Sequence, residues 1–319
     1  MSRPFAPRVR VSTYTSDWMP TGDVTPQPSG YYAGGADGTF IAESDKILFF
    51  DESKSTLAVA LSAGRYALSA MANSGVAGYF AGGNTGSRVS TIDKITFFLD
   101  SSSTLSATLS SGRDNLAGMA NSGTAGYFGG GFDSAAISGI DKITFSADTK
   151  STISATLTAA VRELAAMANS GTAGYFGGGE PPPSARVTTI DKITFSADTK
   201  STLSATLTTG RAALSAMANS GTAGYFLGGY DSANISGIDK ITFSSDAKST
   251  LAATLTTARR GHSSMANSGT AGYCGGGVDT GSLSAIDKIT FSADTRSTLA
   301  ATLSTARFGL AAMANSGVL

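Results

Sequence analysis

The word MANSG occurs six times, starting at Met71, Met119, Met167, Met217, Met265 and Met313, at intervals of 48, 48, 50, 48 and 48 residues. A period of this length marks one supersecondary unit copied along the chain, each copy burying its apolar face against a neighbour. Two further words keep the same beat. GYF or a close variant starts at Gly30, Gly78, Gly126, Gly174, Gly224 and Gly272, always followed by two glycines. DKI starts at Asp45, Asp93, Asp141, Asp191, Asp239 and Asp287. An arginine stands ahead of each methionine, at Arg65, Arg113, Arg162, Arg211, Arg259 and Arg307, and reads as one more repeated position.

Each unit reads as four short strands. In the fourth, these are GYFGGG (174–179), IDKITFS (190–196), TLSATLT (202–208) and ALSAMA (213–218). The third alternates, with Leu203, Ala205 and Leu207 on one face. Turn residues separate the runs at 196–201, 208–211 and 219–222. β-Branched residues and glycine in every segment disfavour helix. Four strands per unit of about 48 residues predict an all-β fold, a six-bladed β-propeller with four antiparallel strands per blade. The units fall at 30–75, 76–123, 124–171, 172–221, 222–269 and 270–317, with residues 1–29 as an extended N-terminal arm. The first unit lacks its small apolar strand and the last ends just after one. The C-terminal strand is therefore expected to join the N-terminal blade, which removes two open sheet edges.

Composition narrows the partners. With 41% apolar residues the 319-residue chain can bury a sizeable core. Lysine plus arginine equals aspartate plus glutamate at 23 each, without the basic stripe of a nucleic-acid binder. No apolar run approaches the length of a membrane-spanning helix. The arm has arginines but no apolar core of a secretory signal, so export by a signal peptide is not expected. A lone cysteine, Cys274, can form no internal disulfide.

Cys274 and the single histidine, His262, stand twelve residues apart beside a glycine run. Alignment answers whether they are a nucleophile and its base. His262 falls where sister units have Leu68, Leu116, Ala165, Leu214 and Leu310; Cys274 replaces Tyr32, Phe80, Phe128, Phe176 and Phe226. Both are packing positions, and one histidine with one cysteine falls short of a metal set. The glycine pairs lack phosphate-loop spacing and read as places of close blade approach. The six Asp–Lys pairs are equivalent copies, whereas acid–base chemistry needs carboxylates in divergent environments. Each Asp is expected to meet a turn, the repeat arginine or the adjacent lysine. No catalytic residue, cofactor or metal is expected.

In an array this uniform, the differences point to binding. The loops after the glycines, at 36–43, 84–91, 132–139, 180–189, 230–237 and 278–285, vary in charge, aromatics and length. Candidate contact residues there are Phe40, Arg88, Phe132, Asp133, Glu180, Arg186, Tyr230, Asp231 and Asp279. Pro181, Pro182 and Pro183 stiffen the longest loop. The two residues after each arginine also vary. In the arm, Arg3, Phe5, Arg8, Arg10, Tyr14, Trp18 and Met19 are candidates for docking onto a partner.

The order arginine, small apolar strand, turn, aromatic strand with two glycines, then a strand with an acid resembles the kelch family. ARRGHSSMANSGTAGYCGGG (258–277) is the nearest match, and the resemblance covers all six units. It departs at the fourth strand, where kelch units usually carry a tryptophan; here the only tryptophan is Trp18. The run GYFGGG…IDKITFSADTKSTLSATL…MANSG also resembles repeats of structural, tail-fibre-like proteins of tailed bacteriophages, notably those infecting cyanobacteria. That resemblance implies a non-enzymatic virion protein, made in the host cytoplasm and present in multiple copies. The arm would bind other virion proteins, of tail, baseplate or capsid. The loops would touch a host-surface glycan or protein. Alternatives are a capsid or tail decoration protein, a cellular kelch-type interaction module, and a carbohydrate-active enzyme using Asp114, Glu163 and Glu180.

Overall fold

The computed structural model describes residues 27–183 and 185–316. They form twenty-four short strands in six four-stranded antiparallel sheets, and no helix occurs among the described residues. Blade 2 shows the pattern: Ser69–Asn73, Ala77–Ala81, Ile92–Thr96 and Ser101–Thr104, paired in chain order. Blades 3 to 6 begin at Ala117–Asn121, Ala165–Asn169, Ser215–Asn219 and Ser263–Asn267. Blade 1 is built from both ends of the chain. Ala311–Ala314 pairs antiparallel with Ser29–Ala33, and Ser44–Leu48 and Lys54–Thr56 follow. The expected closure of the ring by the C-terminal strand is observed.

The repeated words are the parts that join neighbouring blades. Each MANSG methionine packs on the GYF glycine of the next blade. A Cβ on Gly126 would lie 1.8 Å from Met71 Sδ, so a larger residue there would have to displace the buried methionine. Each GYF tyrosine stacks on a phenylalanine of the next blade, as Tyr79 does on Phe145 at 5.2 Å. Its hydroxyl donates to an acid there, an aspartate in five seams, as Tyr79 to Asp148 at 2.8 Å, and Glu52 for Tyr273; the DKI lysine Lys94 meets the Asp148 carboxylate at 2.6 Å. The lysines therefore pair across the seam, not with the aspartate beside them in sequence.

A second polar lock lies deeper. Asp93 accepts from the amide and hydroxyl of Ser62, both at 2.9 Å, from Thr104 at 2.7 Å and from Arg65 at 2.9 Å. The same Asp–Arg pair closes the seams of Arg113 with Asp141 at 3.1 Å, Arg211 with Asp239 at 3.0 Å and Arg307 with Asp45 at 2.9 Å, and Arg259 binds Asp287. Both partners are buried in all five.

The sixth seam, between blades 3 and 4, corrects the sequence alignment. The carbonyls of Arg65 and Arg113 accept from Gly35 and Gly83 at 2.9 Å, and the residue that does this for Gly131 is Val161. Arg162 is thus one residue out of register. It has left the seam and pairs with Glu180 at 2.7 Å. The variable pair there is Arg162-Glu163, and Leu164 is the counterpart of His262.

The expected strand over 202–208 is also revised. The outer strand is Thr199–Thr202. Beyond it, Leu203 donates to Ile190 and Leu207 to Thr188, both at 2.9 Å, so four residues on one side face two on the other. The chain must bulge, and the ladder ends. The alternation holds even so: Leu207 is buried, Leu203 and Ala205 half-buried, Ser204 and Thr206 exposed.

The ring has two ends. One carries the NSG turns, the hairpin turns before the outer strands, and the described chain ends at 27 and 316. The other carries the loops after the glycines. At this loop end six residues with positive φ, Ala67, Asn115, Glu163, Ala213, Gly261 and Gly309, close a circle of backbone hydrogen bonds. Each N–H donates to the carbonyl of the preceding one, from Ala67 to Gly309 at 2.7 Å through Asn115 to Ala67 at 2.8 Å and so around.

Removing one partner of a buried ion pair strands the other, at a cost of about 3–5 kcal/mol. Arg259→Ala is expected to lower unfolding free energy by that amount. Lys94→Ala, at a partly exposed pair, should cost about 1 kcal/mol or less. Denaturant titration of both variants checks the difference.

Candidate recognition face

The circle of positive-φ residues rims a central cavity of about 120 Å³ lined by the innermost strands. The inner strands come from the small apolar words, so the cavity wall is mostly alanine, serine and leucine. His262 belongs to this wall. It is buried, and its Nε2 lies 3.2 Å from the Leu227 carbonyl. Burial and the nearby Arg259 push its pKa down to about 3, so the ring is neutral at ordinary pH. Cys274 is buried on Ala271–Gly275, opposite Ser264 and Asp287, and burial raises its thiol pKa. A neutral packed histidine and a protonated thiol match the packing roles read from the sequence.

Outside the circle the loops meet the variable residues in pairs. Isolated bridges join Asn84 to Tyr66, Phe132 to Asp114, Glu180 to Arg162, Tyr230 to Ala212, Val278 to Arg260 and Ala36 to Phe308. This places every divergent loop next to the divergent residue ahead of an inner strand. Over blades 2 to 6 the side chains form one band. Arg88 lies over the Phe132 ring at 4.5 Å and Arg162 over the same ring at 5.1 Å. Arg186 and Arg260 both lie 4.8 Å from the Tyr230 ring. Two acids tie the band together. Asp114 accepts from Arg88 at 3.1 Å, and Glu180 pairs with Arg162 at 2.7 Å and Arg186 at 3.3 Å. Asn234 accepts from Arg260 at 3.0 Å. Across blades 1 and 2 the face is aromatic instead: Phe40 stacks on Tyr66 at 5.5 Å, and Tyr66 meets Phe308 edge-on at 6.3 Å.

Phe40, Arg88, Phe132, Glu180, Arg186 and Tyr230 are thus gathered on one face. Asp133, Asp231 and Asp279 are not part of the band. Each donates its own amide within its turn, to Ala135, Ala233 and Gly281. No group of three or more histidine, cysteine or acidic side chains suited to a metal occurs among the described residues. Pro181, Pro182 and Pro183 run past Glu180 at the edge of the band. The arm candidates Arg3, Phe5, Arg8, Arg10, Tyr14, Trp18 and Met19 lie outside the described residues. Tyr66, Arg162, Arg260 and Phe308 complete the face but were not among the sequence candidates. Their signal was there, since each follows a repeat arginine or its valine substitute at a position that holds five different residue types in six units.

Of the three non-repeated acids, Asp114 and Glu180 are held by arginines, while burial pushes the Glu163 carboxyl above its ordinary range. No family model matches this chain, and no curated protein matches it.

The histidine gives a pH prediction. Unfolded, it titrates near its ordinary 6.5; folded, near 3. Above 6.5 it is neutral in both states. As pH falls from there toward 3, the unfolded chain takes up a proton that the folded chain refuses, so stability falls. His262→Leu, the residue found in all five sister units, removes this term. Between pH 7 and 4 the variant should lose less thermal stability than the parent, by calorimetry at each pH.

Proposed function

We propose that this chain is a non-enzymatic recognition propeller, carried on the particle of a tailed bacteriophage as a tail fibre or tail-associated protein, that binds a glycan of the host surface. The observation that carries the reading is the band Arg88–Phe132–Arg162–Glu180–Arg186–Tyr230–Arg260. It breaks the repeat on one end of an otherwise uniform ring. Guanidinium groups with spare donors, held rigid against rings, suit carboxylated or sulfated sugars. The aromatic half, Phe40, Tyr66 and Phe308, supplies apolar area for sugar faces. The described chain ends lie at the opposite end, so an anchor there would point this face outward. The phage-like repeat style supports the setting. Many copies per particle would turn weak single contacts into firm attachment.

The test is binding of the purified protein to a glycan array that includes acidic polysaccharides. Arg162→Ala and Tyr230→Ala are expected to weaken binding at least tenfold, equivalent to about 1.4 kcal/mol, while the melting temperature stays within a few degrees. Binding unchanged in both variants would contradict the proposed face. Immunogold microscopy of particles separates the settings. Label at the tail tip or fibres supports recognition, label on the capsid a decoration role, and no label on any particle a cellular kelch-type module.

A further inference from the structure

The seam between blades 3 and 4 keeps every acceptor of the arginine socket without the arginine. In the other seams the guanidinium reaches backbone carbonyls as well as the aspartate. Arg65, Arg113 and Arg211 donate to the carbonyls of Phe80, Phe128 and Phe226 at 3.2, 3.0 and 3.2 Å. Arg211 also reaches Gly237 at 3.2 Å, and Arg259 reaches Gly276 and Ala285 at 3.1 Å. The counterparts in the fourth unit are Phe176, Thr189 and Gly178. All three, with Asp191 and the shortened side chain Val161, line one cavity of about 20 Å³. That is room for one water-sized occupant.

The charge at this place is also short by one. Asp191 is 5% exposed. It accepts from the Thr158 amide and hydroxyl at 2.7 and 2.6 Å and from Thr202 at 2.7 Å. Among the described residues, the cation that reaches it is Lys200 at 3.7 Å, itself partly exposed. The sister aspartates Asp141 and Asp239 have a lysine at similar distance, 3.7 and 3.6 Å, and a buried arginine as well. A buried carboxylate favours a paired cation strongly.

We propose that this seam binds a monovalent cation of potassium or ammonium size, seated where the guanidinium of the sister seams lies. Its ligands would be the Asp191 carboxylate and the carbonyls of Phe176, Gly178 and Thr189. One formal negative charge with neutral carbonyl oxygens suits a monovalent ion, since a divalent ion draws more carboxylates. The cavity admits potassium or ammonium and excludes tetramethylammonium.

The test is thermal unfolding of the full chain in chloride salts of potassium, ammonium and tetramethylammonium at equal ionic strength. The parent should melt roughly 2 °C or more higher in potassium or ammonium than in tetramethylammonium, with saturation on titration. Val161→Arg, which restores the internal cation, should melt higher than the parent in tetramethylammonium and show no preference among the salts. Asp191→Asn should also lose the preference, and it decides the matter if Val161→Arg does not fold. Equal melting of the parent in all three salts overturns the proposal. So does a preference that survives in Asp191→Asn.

Discussion

Six buried carboxylates sit at the seams of this ring, one per blade, and the arrangement of the rest follows from satisfying them. Each takes an amide and a hydroxyl from the linker that has just crossed from the previous blade, and a hydroxyl from its own outer strand. In five seams it also takes a guanidinium. A carboxylate left without these donors would make burial too costly for the sheet to close. The linker is therefore pinned in one path, and that path sets the residue that enters the circle of backbone hydrogen bonds. Positive φ at Ala67, Asn115, Glu163 and Ala213 is a strain of about 1 kcal/mol or more each, offset by a bond to the next member. Closure is thus local chemistry repeated six times, with Ala311–Ala314 supplying the last contact.

Much of this was legible because a repeat names its own constraints. GYF glycines and MANSG methionines recur together because one fills the space the other leaves. Periodicity gave the strand count and the closure. What it concealed was the third dimension. DKI suggests that Lys94 serves Asp93, yet successive strand residues point to opposite faces, and Lys94 reaches Asp148 of the next blade. The TLSATLT run alternates like a strand, but the bulge at Leu203 to Leu207 is invisible without its partner. Arg162 looked like a sixth repeat arginine. Only the backbone bond from Gly131 reveals that Val161 holds the position.

The candidate face was half legible for the same reason. Variation pointed to the loops, and six of the chosen side chains meet there. Their Arg162 and Arg260 partners come from the neighbouring linker, which a one-dimensional reading does not set beside the loop. The acids Asp133, Asp231 and Asp279 stand in the same loops, but their amides bond within their own turns and they join none of the arginine–aromatic contacts of the band. The division of labour is physical. Residues that repeat hold the seams, and those that do not repeat gather on the loop end, over a scaffold whose backbone is fixed beneath them.

The central claim is that the ring is one closed cooperative unit, and amide hydrogen exchange at the six positive-φ residues tests it most directly. In a closed circle, the amides of Ala67, Asn115, Glu163, Ala213, Gly261 and Gly309 should exchange with one common slow rate set by global unfolding. The contradicting result is an Ala67 or Gly309 amide that exchanges orders of magnitude faster than the other members. It would mean that the seam joining the two ends of the chain stands open in solution.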